Sequence, residues 1–426
     1  MKKYNEYKDT DNRWLGSIPI HWEVRQLSQV AHEHFVSNKG IHHQNLLSLS
    51  YGRIVRRDIN ATEGLLPASF DTYQVVEDGN IVLRLTDLQN DQKSLRVGLA
   101  REEGIVTSAY VCLGIVGESV IPAYIYYTLH SLDIKKIFYG MGGGLRQNLN
   151  WQGLKKIEIP LPPLDEQEKI VSYLESKTLS IDAYVAERER ELQLLDELKR
   201  SEIANVVTRG LNPTVEMKDS GVPWIGMVPA HWECKQLRNY LRLVSIKGKP
   251  EEQLLSVVRE LGVIIRDVES KEENHNFIPD DLSGYKYVEA GQFVINKMKA
   301  WQGSYAVSEH TGIVSPAYYV CNLNFPNKEF FNLAIRSKFY VPFFTQFSKG
   351  IRVGQWDLST VGLKNIPFFE PPVEEQNEIV EYINNKCKNI DELVCSLEAE
   401  IEYLKEYKQS LIAACVTGQI NVQSEK

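Results

Sequence analysis

The sequence predicts an α+β protein in which one unit occurs twice, each copy being an α/β domain followed by a long helix. Three observations predict it: a ten-residue motif that recurs, β-rich segments rich in turn residues, and two long segments without proline or glycine. "WLGSIPIHWE" begins at Trp14 and "WIGMVPAHWE" at Trp224, so the repeat period is 224 − 14 = 210 residues. This period is too long for a solenoid repeat and indicates tandem duplication.

The second copy follows the first along its whole length. Further matching pairs are "EDGNIVLRL" with "EAGQFVINK", "GIVTSAYVC" with "GIVSPAYYV", "GLKKIEIPLPPLDEQ" with "GLKNIPFFEPPVEEQ", and "SEIANVVTRG" with "SLIAACVTGQ". The first 160 or so residues of each copy contain short runs rich in β-branched and aromatic residues, bounded by Gly, Pro, Asn and Asp. Such runs are typical of strands and turns, with short helices between them.

The second part of each copy predicts a long helix. "PLPPLDEQ" and "EPPVEEQ" place proline and then acidic residues where a helix can begin. In the second helix, apolar residues follow alternating steps of four and three, a pattern interrupted by Lys408 and typical of a coiled-coil seam. These residues are Ile390, Val394, Leu397, Ile401, Leu404, Leu411 and Cys415.

The first helix has the same spacing with more polar interruptions. Its seam consists of Ile181, Val185, Leu192, Leu195 and Val206, interrupted by Arg188, Lys199 and Glu202. The simplest way to bury both seams is for the helices to pair with each other, running antiparallel. We therefore expect a pseudo-twofold arrangement of domain, helix, domain and helix within one polypeptide.

The charge distribution is uneven. The chain carries a net charge of −8, but residues 1–160 and 211–370 each have a net charge of +1. Residues 161–210 and 371–426, the predicted helices, have net charges of −4 and −6. Basic surfaces that meet phosphate are therefore compatible with the two domains. Long apolar runs and a signal peptide are lacking, and the scattered cysteines favour a reduced, cytoplasmic protein.

The chain resembles the specificity subunits of Type I restriction–modification enzymes. The resemblance is carried by the ten-residue motifs that begin at Trp14 and Trp224, by the helix starts "PLPPLDEQ" and "EPPVEEQ", and by "SEIANVVTRGL". The resemblance implies two target recognition domains, residues 1–163 and 211–372, each reading half of a split, asymmetric DNA site. It also implies that helices 164–210 and 373–420 act as a spacer and dock two methyltransferase (modification) subunits, which restriction subunits join. No cofactor is then bound by this chain; S-adenosylmethionine belongs to the methyltransferase, and ATP and Mg²⁺ to the restriction subunit.

Candidate DNA contacts are polar and basic residues in strand and loop regions, because Arg and Lys pair with guanine, Asn and Gln with adenine, and all of them with phosphate. We also considered Arg96, Gln89 and Asn90 in the loop after "NIVLRL". For each single residue, ordinary solvated surface remains the alternative. The predicted set is Arg53, Arg56, Arg57, Arg84, Lys93, Arg146, Gln147, Asn148, Lys297, Lys299, Trp301, Gln302, Lys349, Arg352 and Gln355.

The repeated tryptophans are expected to be scaffold, since readers of different sequences should differ between copies. Trp14, Trp22, Trp224 and Trp232 should pack each domain against the base of a helix. The histidines at 32, 34, 42 and 43 lack the partners and spacing of a metal site. Phosphate-binding loops, dinucleotide fingerprints and methyltransferase motifs are absent, so no catalysis is expected. A coiled-coil adaptor that never touches DNA is the alternative function.

Overall fold

The computed structural model describes residues 2–60, 67, 69–91, 95–141, 143, 148–267, 278–279, 281–350 and 356–424. The chain forms two compact units: unit 1 comprises Met1–Glu189 with Glu398–Lys426, and unit 2 comprises Arg190–Leu397. Each unit contains one α/β domain, which we call head 1 (residues 2–163) or head 2 (residues 211–372), and part of each long helix. The contacts thus divide both helices between the units, whereas the sequence-based boundaries give each helix a segment of its own.

Head 1 is built mainly from short strands. In its described part the strands are β1 (Tyr7–Asp9), β2 (Ser17–Pro19), β3 (Glu23–Gln26), β4 (Ala31–Glu33), β5 (Val36–Ser37), β6 (Leu47–Ser50), β7 (Arg53–Arg56), β8 (Gln74–Val76), β9 (Ile81–Leu83), β10 (Val97–Leu99), β11 (Gly104–Val106), β12 (Val111–Ile115) and β13 (Glu158–Leu161). Its α-helices are α1 (Pro122–Ile134) and α2 (Trp151–Leu154), and unit 1 continues into α3 (Leu164–Arg209).

Head 2 repeats this plan. Its described strands are β14 (Met217–Asp219), β15 (Met227–Pro229), β16 (Glu233–Gln236), β17 (Leu241–Val244), β18 (Leu255–Val258), β19 (Gly262–Ile265), β20 (Lys286–Val288), β21 (Phe293–Asn296), β22 (Tyr305–Val307), β23 (Gly312–Val314), β24 (Tyr318–Leu323), β25 (Ser348–Lys349), β26 (Asp357–Leu358) and β27 (Pro367–Glu370). Its α-helices are α4 (Lys328–Arg336), α5 (Val341–Gln346) and α6 (Thr360–Asn365), followed by α7 (Val373–Val416).

The largest sheet has the same topology in both heads. Its order is β10-β9-β12-β4 in head 1 and β22-β21-β24-β17 in head 2, and all these pairs are antiparallel. The central strands β9 and β21 are buried along their whole length, as expected for apolar runs covered on both faces. Mixed helix and strand content, as predicted, is therefore confirmed for each head.

The long helices begin and pack as the sequence predicts. Each has two acidic residues in its first turn, where carboxylates stabilise the positive end of the helix dipole. In unit 1 the first part of α3 lies beside the last part of α7, with Asp182 bonded to Lys408 at 2.6 Å. In unit 2 the last part of α3 lies beside the first part of α7, with Lys199 bonded to Asp391 at 2.6 Å. Within each unit, therefore, the two helices run antiparallel.

Most of the predicted seam residues of α7 are buried. Ile390, Leu397, Ile401 and Leu411 are each less than 10% exposed. Glu202, one of the polar residues that interrupt the α3 seam, accepts a hydrogen bond from the Tyr382 hydroxyl at 2.6 Å in unit 2. In α3, Val206 is buried and the other predicted seam residues are half-buried, namely Ile181, Val185, Leu192 and Leu195. In the described ranges, every helix is too short or too polar to cross a membrane.

The repeated motif ties head 1 to the start of α3. Trp22 is fully buried, and its indole Nε1 donates to Glu166 Oε2 at 2.9 Å. The Tyr4 hydroxyl donates to the same oxygen at 3.0 Å, and His21 Nε2 lies 2.7 Å from Glu166 Oε1. The end of α7 closes this joint, because a Cβ atom added to Gly418 would lie 3.3 Å from the Trp22 ring. We call this cluster joint 1.

Head 2 contains the equivalent joint 2, with the helices exchanging roles. Trp232 Nε1 donates to Glu375 Oε2, in the first turn of α7, at 3.1 Å, and His231 Nε2 lies 2.7 Å from the same oxygen. Here the end of α3 closes the joint: Gly210 adopts φ +71° and a Cβ there would be 3.5 Å from the Trp232 ring. Left-handed glycines of this kind commonly end helices.

The other two tryptophans are more exposed than Trp22 and Trp232. Trp14 is half-buried and packs at the edge of the unit 1 core. Trp224 is 39% exposed, and its indole donates to the Phe339 carbonyl at 3.1 Å within head 2. The expectation that all four tryptophans pack against a helix base is correct for Trp22 and Trp232 and wrong for Trp224, because its indole is bonded to the loop before α5.

Candidate nucleic-acid interface

In head 1, two predicted DNA-contact segments lie side by side. The chain leaving β9 and the glycine-rich segment before α2 are joined by a bond from Leu149 N to Leu85 O at 2.9 Å. A second bond runs from Asp87 N to the Asn148 side-chain oxygen at 2.8 Å. We call the described residues 84–91, 143 and 148–150 reading surface 1. It carries two residues of the predicted set, Arg84 and Asn148.

Arg96, which we had considered as a DNA contact, is instead the internal support of this surface. Its side chain is fully buried. The guanidinium donates to the carbonyl oxygens of Arg84 at 3.1 Å and Thr86 at 2.8 Å, and also to those of Asp87 and Asp91. A buried charge needs such partners, because unpaired polar groups in the interior are costly. Arg96 therefore shapes the loop and is not available to DNA.

Two groups from elsewhere in head 1 hold Arg96 in place. Tyr139 accepts a hydrogen bond from Arg96 Nε at 3.0 Å, and the guanidinium lies 5.4 Å from the centre of its ring. The Arg96 backbone N–H donates to the Asp133 carboxyl at 2.6 Å. Burial raises the pKa of Asp133 to about 6. The loop of reading surface 1 is thus anchored to α1 and to the 3₁₀ turn Ile137–Gly140.

Head 2 has the equivalent surface. Leu358 N donates to Lys297 O at 3.0 Å, the counterpart of the bond between Leu149 and Leu85. Lys297 Nζ also pairs with Asp357 at 2.7 Å, and the Trp301 and Trp356 rings lie 5.2 Å apart. We call the described residues 296–302, 348–350 and 356–359 reading surface 2. It brings together five predicted residues, namely Lys297, Lys299, Trp301, Gln302 and Lys349.

Each reading surface includes the N-cap residue of a short helix. Asn150 accepts from Gly153 N at 3.2 Å at the start of α2, and Ser359 accepts from Gly362 N at 3.3 Å at the start of α6. Asn and Ser are preferred at this position because their side-chain oxygen satisfies a free N–H of the first turn. The backbone frame is thus the same in both heads, while the side chains on it differ.

Three predicted residues lie on or next to hairpin β6–β7 of head 1. Arg53 pairs with Asp182 of α3 at 2.5 Å, and Arg56 pairs with Glu102 at 2.5 Å. Arg57 is exposed. Exposed ion pairs of this kind contribute little and can exchange partners. DNA contact by these three residues stays a prediction.

Five predicted residues lie outside the described residues. They are Lys93, Arg146, Gln147, Arg352 and Gln355.

Comparison with known proteins finds a family model and relatives that the chain resembles. Residues 99–192 match the family model of the Type I restriction modification DNA specificity domain. The chain named as the MjaX type I restriction enzyme specificity subunit of Methanocaldococcus jannaschii is 22% identical, over 99% of this chain and 98% of that one. In both comparisons the chain is similar to the type I restriction enzyme specificity subunits.

The fold of this chain matches solved structures. A chain from a study of complex assembly and conformational transition in the type I R-M system has a TM-score of 0.64. It is 14% identical, over 95% of this chain and 99% of that one. The HsdS subunit from Thermoanaerobacter tengcongensis has a TM-score of 0.50 at 14% identity, over 95% and 98% of the two chains.

Three of the four histidines singled out in head 1 have separate neighbours. His34 Nε2 lies 3.2 Å from the Val75 carbonyl, His42 lies 3.9 Å from Asp71, and His43 lies 3.5 Å from Glu103. Across the described ranges, the structure brings together no group of three His, Cys, Asp or Glu side chains suited to a metal ion.

Sequence reasoning missed Glu166 and Glu375, the acceptors at the centre of the two joints. A signal for them existed, because "HW" and "DEQ" or "EEQ" recur together in both copies. The motifs are separated by about 140 residues, so only the fold shows that the tryptophan of one reaches the glutamate of the other.

Proposed function

We propose that each head reads one half of a split, asymmetric sequence in double-stranded DNA through its reading surface. One observation carries the proposal: the two surfaces share a backbone frame, with matching bonds at Leu149 and Leu358, yet carry different side chains. A duplicated frame with different side chains suits recognition of two different half-sites. Phosphate contacts then position each head, and contacts to base edges specify the sequence.

The side chains available on each surface have different chemistry. Reading surface 1 presents Arg84, half-exposed, and Asn148, and hairpin β6–β7 adds three arginines. Reading surface 2 presents exposed Lys299 and Lys349, with Gln302 half-buried beside them. The Trp301 ring is half-buried beside them, and its Nε1 is buried without a hydrogen-bond partner among the described residues.

The paired helices set the distance between half-sites and dock two modification subunits, to which restriction subunits bind. Their acidic charge disfavours DNA contact and suits protein partners. Large apolar side chains on their solvent-facing sides support docking, because such groups mark protein interfaces. Examples are Leu179, Leu194, Leu393 and Tyr403, each more than half exposed.

The partner subunits supply the chemistry of the complex. S-adenosylmethionine is bound by the modification subunit, and ATP and Mg²⁺ by the restriction subunit, in the cytoplasm. This chain supplies sequence recognition and binds no cofactor. The alternative, an adaptor that bridges proteins without reading DNA, is not favoured by the match to a DNA specificity domain.

Selection from a pool of random duplexes, using the full-length chain assembled with its modification subunits, tests this function. We expect enrichment of two short sequences separated by a constant spacer. Lys299→Ala should relax preference in one of the two sequences only, since loss of a base contact costs about 1–3 kcal/mol at that position.

Lys328→Ala is the matched control, because Lys328 is exposed in head 2 at the start of α4, outside reading surface 2. It should leave both sequences unchanged. Recovery of no preferred sequence by the unaltered complex would favour the adaptor.

A further inference from the structure

Two lysines of head 2, Lys247 and Lys286, lie on adjacent stretches of chain. Lys286 begins β20, and the chain at 246–247 runs beside this strand through a bond from Tyr287 N to Ile246 O at 2.7 Å. In head 1 the equivalent strands are β5 and β8, where Ser37 lies directly opposite Gln74. Lys247 and Lys286 therefore stand where head 1 has a neutral pair.

The charge on Lys286 is not needed to hold the fold. Its Nζ donates to the Tyr318 carbonyl at 2.5 Å. In head 1, the Gln74 amide donates to the equivalent Tyr110 carbonyl at 2.7 Å. A neutral amide thus makes the same structural bond, and the positive charge in head 2 is surplus to it.

Among the described residues, no carboxylate forms an ion pair with this charge. Burial, followed by the positive charges of Lys247 and Lys297, lowers the pKa of Lys286. In the part of head 2 that the structure describes, neither Lys247 nor Lys286 forms an ion pair, whereas Lys297 pairs with Asp357. Like charges side by side on strands destabilise a sheet. A bound anion would relieve the repulsion between the two charges.

We propose that Lys247 and Lys286 form a phosphate clamp that grips the DNA backbone beside reading surface 2, and that the equivalent place in head 1 makes no such contact. Lys297 links the clamp to reading surface 2, since it belongs to that surface and lies near Lys286. The clamp then gives head 2 phosphate contacts that head 1 lacks at the equivalent place. The proposal rests on the proposed function, because it assumes that head 2 lies on DNA.

The test replaces both lysines with their head 1 counterparts, Lys247→Ser and Lys286→Gln, in the full-length chain assembled with its modification subunits. Affinity for a target-containing duplex is measured across a series of salt concentrations. Each phosphate contact contributes about 0.9 to the slope of log affinity against log salt. We expect the slope to fall by about 1–2 and the recognised sequence to stay the same.

Two further variants make the result specific. Lys338→Gln removes an exposed lysine elsewhere on head 2 and should leave the slope unchanged. Lys286→Arg with Lys247→Arg keeps both charges and should retain the original slope. The double neutral variant should melt at the same or a higher temperature than the original, because the repulsion is removed.

An unchanged slope in the neutral variant, or an equal loss in the arginine variant, would overturn the clamp. Failure of the unaltered complex to bind duplex DNA would instead overturn the proposed function.

Discussion

Trp22→Ala should lower the free energy of unfolding of unit 1 by about 3–5 kcal/mol, the usual cost of truncating a buried large aromatic residue. Trp22 is fully buried in joint 1 and contacts both the start of α3 and the end of α7. Its loss leaves a cavity and removes one of the donors to Glu166. Denaturant unfolding of the full-length chain, followed by circular dichroism, measures the effect.

The matched control is Trp224→Ala, at the first tryptophan of the second copy of the motif. Trp224 is 39% exposed and lies outside joint 2, so its replacement should cost clearly less. If the two variants are destabilised equally, the joints do not hold the heads and helices together as described.

A four-residue helical insertion in each long helix should lengthen the spacer of the recognised DNA site by one to two base pairs. The insertions follow Asp196 in α3 and Val394 in α7. They leave the Asp182–Lys408 bond intact in unit 1 and the Lys199–Asp391 bond intact in unit 2. Four residues add about 6 Å at 1.5 Å per residue, and duplex DNA advances about 3.4 Å per base pair.

Sequencing of methylated sites in cells that carry the variant system measures the spacer. Both half-sequences should stay the same, since neither head is altered. An insertion in α3 alone is the control, and it should reduce stability because the seam residues of the two helices no longer match. Four residues form a stutter, which unwinds a coiled coil locally but preserves an apolar face. A methylated site with an unaltered spacer in the variant with both insertions would show that the helices do not set the distance between half-sites.

The repeat and the helices could be predicted from sequence because their causes are local. A stretch free of proline and glycine with regular apolar spacing favours one long helix, and Leu397 and Ile401 are buried as that spacing requires. Duplication then predicts that whatever fold the first copy has, the second shares. The common sheet order of the two heads confirms this.

The surfaces could be predicted only in part, because side-chain roles there depend on distant residues. Nothing in the local sequence distinguishes Arg96 from Arg84. Arg96 is nevertheless buried, because Asp133 and Tyr139 accept hydrogen bonds from its backbone N–H and its side chain. Lys247 and Lys286 are far apart in sequence and become neighbours only through strand alignment. The sequence pattern therefore does not predict which side chains of the two reading surfaces are buried or which strands lie beside each other there.

The central claim is that one head reads one half-site, and exchange of a head tests it most directly. Residues 1–160 are replaced with the matching region of another specificity subunit that recognises a different site, and methylated sites are sequenced in cells that carry the hybrid. We predict that one half of the methylated motif changes while the other half and the spacer stay the same. A motif in which both halves change together would contradict independent reading by the two heads.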